Sequence, residues 1–154
     1  MQLARSLKVQ RGAAAIELAL ILPILISFLL FPAFYASVFW HYTVAQKAAK
    51  DAARYLSTVS AQEMRSRVLA PAAAAIASEI AKTEIAELSP GSSIDDPIIQ
   101  CGTDPCKGTT SGPLPSTVRV ALKFDMYDTW FGVVDTGRYG WHVESDITMR
   151  YAGN

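Results

Sequence analysis

Glu17 is the residue in this chain whose setting most demands a chemical reason. It is followed by Leu18–Phe39, a run without a single charge, and a carboxylate at the mouth of such a run is a functional candidate by default. Four residues before it stands Ala13, and before that Gly12, the small residue that separates the run from a short basic leader holding Arg5, Lys8 and Arg11. A second chemistry is possible at Cys101-Gly-Thr-Asp-Pro-Cys106, a tight loop whose Gly and Pro favour a turn. In an oxidising compartment the two thiols are expected to close a disulfide, with free thiols or a metal pair as the alternatives. A tetrahedral zinc site needs three or four ligands, and His41 and His142 lie far from the cysteines in sequence, so no metal site is expected. His41 reads as an interfacial residue and His142 as an exposed one. Asp95-Asp96 fall in a stretch of ordinary turn chemistry. There is no phosphate-binding glycine loop, no Gly-x-Ser-x-Gly elbow and no His–Cys pair. The chain is therefore read as no enzyme, with no catalytic residue and no cofactor.

The element that must position Glu17 is the apolar run itself. Leu18–Phe39 holds fourteen Leu, Ile, Phe and Val residues. At 1.5 Å per residue it spans roughly 33 Å as a helix, against about 30 Å for a bilayer core. Those side chains favour insertion by roughly 4–8 kcal/mol, an advantage that Pro23, Ser27 and Pro32 reduce without reversing. Residues 13–40 are thus expected to cross a membrane, with Trp40, His41 and Tyr42 at the outer interface. Positive charge ahead of the helix holds the N-terminus in the cytoplasm and exports residues 41–154.

The order of basic leader, glycine, four apolar residues, glutamate and long apolar helix resembles the signal of type IV-like prepilins. The fuller stretch Arg11-Gly12-Ala13-Ala14-Ala15-Ile16-Glu17-Leu18-Ala19, with Leu22-Pro23, is similar to the TadE-like family of pseudopilins, accessory subunits of the tight-adherence (Flp) pilus. The similarity continues through Gln46-Lys47-Ala48-Ala49-Lys50-Asp51-Ala52-Ala53-Arg54-Tyr55 and covers about residues 11–56. It departs from the family pattern at Phe31-Pro32-Ala33-Phe34, where many relatives carry a glycine-containing segment and a second Glu. The resemblance implies a leader of residues 1–12 removed by prepilin peptidase between Gly12 and Ala13, which makes Glu17 the fifth mature residue and an assembly determinant. It also implies the inner membrane and other pilin and pseudopilin subunits of a tight-adherence system as partners, with the C-terminal part in the periplasm. The alternative is an uncleaved single-pass protein whose exported domain binds a partner or ligand.

Downstream, the residues describe an α+β domain of Ala-rich helices on a short antiparallel sheet. The first helix is expected to run from 13 to about 58, with Val44, Ala48, Ala52 and Tyr55 or Leu56 on one face, small enough for close packing against the chain's own sheet or against neighbouring subunits. Ser60-Ala-Gln-Glu63 has capping-box spacing. Pro71 is expected to interrupt the next helix, which restarts over Ala72–Leu88, carries Glu79, Lys82, Glu84 and Glu87 on its solvated side and stops at Pro90-Gly91. Residues 89–117 read as loop. Val118, Val120, Leu122, Phe124 and Met126 alternate cleanly, as do Trp141, Val143, Ile147, Met149 and Tyr151, broken by Ser145; both stretches are expected strands. Two strands alone are marginal, so a third is sought in Ile94–Gln100 or Phe131–Val134.

The chain of 154 residues carries 14 basic and 14 acidic groups. Without its leader it would hold 11 basic against 14 acidic groups. No clustered positive stripe is present, so no nucleic-acid partner is expected.

Overall fold

The computed structural model describes residues 3–86, 94–128 and 136–153, with side chains from residue 12 onward. Its largest element is α1, Leu3–Thr58, a single helix of 56 residues. It starts ahead of the expected residue 13. Nothing in the leader breaks a helix, and one glycine inside a helix costs only about 1 kcal/mol. Pro23 and Pro32 also lie inside it. The Ser27 hydroxyl donates to the Pro23 carbonyl at 2.9 Å, a local bond of the kind that accompanies prolines in apolar helices.

Three short steps follow. Ser60 caps α2 (Ala61–Arg65), and the capping box is complete: the Ser60 hydroxyl accepts from the Glu63 backbone N–H, and the Glu63 carboxylate accepts from the Ser60 N–H at 3.2 Å. Then α3 begins at Leu69 and is described to Ala86. The expected break at Pro71 is wrong. Pro71 stands in the first turn of α3, where a missing N–H costs little. The real break is at Ser66, whose hydroxyl accepts from the N–H groups of Val68 and Leu69 at 3.3 and 3.2 Å. The expected end at Leu88, Glu87 and the Pro90-Gly91 stop lie outside the described residues.

Among the described residues the sheet has four strands in the order β2-β1-β3-β4: β1 (Ile98–Cys101), β2 (Asp104–Pro105), β3 (Thr117–Met126) and β4 (Trp141–Arg150). All neighbours are antiparallel. The reading of 89–117 as loop is thus corrected in its middle. Ile98–Cys101 pairs with Val118–Ala121, and the cysteine segment turns back on it as a hairpin. The third strand comes from the Ile94–Gln100 candidate, with Ile94 itself bridging to Phe124. The Phe131–Val134 candidate lies outside the described residues.

One face of the sheet packs on the C-terminal part of α1 and on α3. The interface is made of small residues: Ala48, Ala49, Ala52 and Ala53 of α1 and Ala70, Ala73, Ala77 and Ala81 of α3 are buried together with Leu56, Ile85, Val118, Val120 and Leu122. Methyl-sized side chains at three- and four-residue spacing let the two helices and the sheet approach closely. The other face is polar. Arg119 donates to Asp146 from Nε at 2.9 Å and to Gln100 Oε1 from Nη1 at 3.0 Å; Lys123 pairs with Glu144 at 3.1 Å. The chain ends against the top of α1: the Ala152 N–H donates to the Ser57 carbonyl at 3.0 Å, and the Tyr151 hydroxyl to the Val59 carbonyl at 2.8 Å.

Candidate functional site

The helix gives Glu17 its setting. Ala13 and Glu17 are four residues apart on continuous helix, so they share a face one turn apart. Gly12, Ala13 and Glu17 are all exposed, and so is every residue from 12 to 29. The large side chains here, among them Ile16, Leu20, Ile24 and Phe28, touch no other part of the chain closely enough to be covered. A bare helical surface of this length, with Glu17 its one charge, is long and apolar enough to cross a membrane. Pro23 also lies on this bare stretch.

The bare stretch ends at Phe34, which is only 7 % exposed. Its ring meets Trp141, the first residue of β4, edge to face at 5.9 Å. Tyr35 meets the same indole at 5.5 Å. Val38 then packs on Ala45, Phe124, Met126 and Val143. The domain therefore grips α1 six residues below Trp40, where the outer interface was expected. Sequence reasoning missed this contact. Its one linear signal was Trp141 at the head of an alternating strand.

Further along α1, Ala48 and Ala52 are fully buried in the chain's own core. Cys101 and Cys106 are joined by a disulfide within the β1–β2 hairpin, their Cα atoms 4.9 Å apart. Gly108, past the hairpin, lies against the backbone of Ser66 and Arg67 at the α2–α3 joint.

The remaining chemistry-bearing residues are paired locally. His41 is bonded through Nδ1 to the Ser37 carbonyl at 2.7 Å, and His142 through Nδ1 to Asp125 at 2.9 Å. Asp96 pairs with Lys82 at 2.7 Å, and that ammonium holds its carboxyl below the usual carboxylate range. Among the described residues no three His, Cys, Asp or Glu side chains gather as a metal site would require.

The fold and this helix together define a class: a protein whose N-terminal helix, long and apolar enough to cross a membrane, continues unbroken into the core of a small α+β domain. A model of the family described as TadE-like protein matches residues 12–54, from the glycine before Ala13 through the small-residue face of α1. Over that segment, somewhat more than a quarter of the chain, the protein is similar to TadE-like proteins. No significant match was found among curated proteins or among solved structures.

Proposed function

We propose that this protein is a pseudopilin, a minor pilin-like subunit that helps assemble a tight-adherence type IV-like pilus and is matured by prepilin peptidase cleavage after Gly12. The observation that carries the reading is Glu17, a lone acid on a bare apolar helix, five residues past a glycine that follows a basic leader. Cleavage leaves an α-amino group on Ala13, one helical turn from the Glu17 carboxylate. In lipid either charge alone is expensive, and pairing them, within one subunit or between two, offsets both. The intersubunit pairing favours lateral docking in register over dissolution in lipid. Gly12 suits the protease. A glycine weakens a helix by about 1 kcal/mol relative to alanine, which eases the local opening that hydrolysis of a helical peptide bond requires. The basic leader keeps the N-terminus cytoplasmic and puts the domain, with its disulfide, in the oxidising periplasm.

N-terminal sequencing of the membrane form, from cells that hold the peptidase, tests the maturation. Ala13 is expected first. Met1 first would refute it and favour an uncleaved anchor whose exported domain binds a partner. Glu17→Gln is expected to leave membrane insertion intact and to reduce recovery of the subunit in pilus complexes; unchanged recovery would refute the charge-compensation role.

A further inference from the structure

We propose that the start of β4 is a second membrane contact, a wedge of Tyr139 and Trp141 seated in the headgroup region of the outer leaflet beside the helix. The inference rests on the reading of α1 as a membrane span and adds a lipid-binding surface to the exported domain. With Ala13 at the inner edge of the hydrocarbon, Phe34 lies about 32 Å further along the axis, at the outer edge of a core about 30 Å thick. Trp141 is held at that height by its contacts with Phe34 and Tyr35. It is nonetheless 38 % exposed, and Tyr139 is 80 % exposed. Tyr35, Phe39 and Trp40 on the helix are exposed at the same level and above it. Amphipathic rings prefer this zone, where one edge meets acyl chains and the other meets water. His142, the next residue of β4, belongs to the opposite sheet face, where it is exposed and paired with Asp125. The aromatic surface is therefore continuous with the bare helix. Arg138, exposed beside Tyr139, supplies a cation for lipid phosphate.

The test uses the full chain in phosphatidylcholine–phosphatidylglycerol liposomes containing lipids brominated at defined depths. Trp40→Phe with Trp130→Phe leaves Trp141 as the one indole, since the chain holds three tryptophans. A control carries Leu25→Trp in a background where all three are Phe. The control is expected to be quenched by bromines deep in the acyl chains. Trp141 is expected to be quenched by bromines nearest the headgroups and to be shielded from aqueous iodide. Quenching of Trp141 by iodide with no response to shallow bromines, while the control responds, overturns the wedge alone. A control that also ignores the bromines overturns the span and the wedge with it. Shielding of Trp141 from both quenchers that disappears on dilution in lipid assigns the surface to a second copy of the chain and likewise overturns the lipid contact.

Discussion

Gly102 and Gly108 form a controlled pair for testing how the cysteine hairpin is fastened to the helices. Both have left-handed backbones, with φ of +73° and +72°. A side chain at either position costs about 1–2 kcal/mol in backbone strain. They differ in what a Cβ would meet. At Gly102 there is nothing within 4 Å. At Gly108 a Cβ would fall 2.3 Å from the Ser66 carbonyl oxygen, 2.6 Å from its carbon and 2.9 Å from the Arg67 nitrogen. All three are backbone atoms, so the loop or the α2–α3 joint must move. Overpacking of this kind costs about 1–3 kcal/mol. Ser66 is also the cap of α3, and displacing a cap costs about 1 kcal/mol more. Gly108→Ala is therefore expected to destabilise by about 3–6 kcal/mol and Gly102→Ala by about 1–2 kcal/mol. Thermal unfolding of the oxidised full chain in detergent micelles, followed by circular dichroism, reads the difference. Equal losses for the two variants would refute the close approach and leave only the shared backbone strain.

Ser145 is 1 % exposed, and its hydroxyl has no hydrogen-bond partner among the described residues. An unsatisfied buried hydroxyl costs about 1–3 kcal/mol, so Ser145→Ala is expected to leave the thermal midpoint unchanged or raise it; a clear fall would mean that the hydroxyl is bonded. Burial, and then the nearby Glu63 carboxylate, push the Tyr151 phenol up from its ordinary value. Its stabilising contribution is thus complete below about pH 10 and is lost as pH rises through the folded value, a loss that Tyr151→Phe should abolish in unfolding measured across alkaline pH. Asp146 behaves oppositely: its hydrogen bond to Arg119 holds the carboxyl low, so its contribution is present above about pH 4 and is lost on further acidification. Because that pair is partly exposed, Asp146→Asn should flatten the acid limb by less than about 1 kcal/mol.

Much of this was legible in the residues because the signals are local. The bare half of α1 is visible as length without charge, the α2 cap as Ser60 and Glu63 three apart, and β3 and β4 as alternation over ten residues each. Glu17 is legible for the same reason, since the spacing to Gly12 is linear. The failures are equally physical. Pro71 reads as a breaker anywhere, and only the position of the Ser66 cap shows that it falls in a first turn. β1 is sought in Ile94–Gln100 and found there, but β2 has two residues set among turn formers, too short for its period to show, and it exists because β1 offers it an edge. The contact of Phe34 with Trp141 depends on the height at which the sheet docks on the helix, and no local pattern encodes that.

That docking height also bears on how subunits could meet. The small-residue face of α1 looked equally suited to neighbouring copies and to the chain's own domain. Ala48, Ala49, Ala52 and Ala53 are fully buried by α3 and the sheet, so this face is already occupied. Large side chains cover the lower half instead, and they are bare. Such a surface is stable in lipid or against other apolar helices, and not in water. In the proposed assembly, helix-to-helix contact falls to the segment before Phe34, the segment that carries Glu17. One continuous helix thus carries two surfaces: its C-terminal part is a core element of the α+β domain, and residues 12–29 present one acid on an otherwise apolar surface. On the proposed function, a charge that is costly when alone and relieved by a partner's ammonium would give that surface a preferred register, which apolar side chains by themselves do not supply.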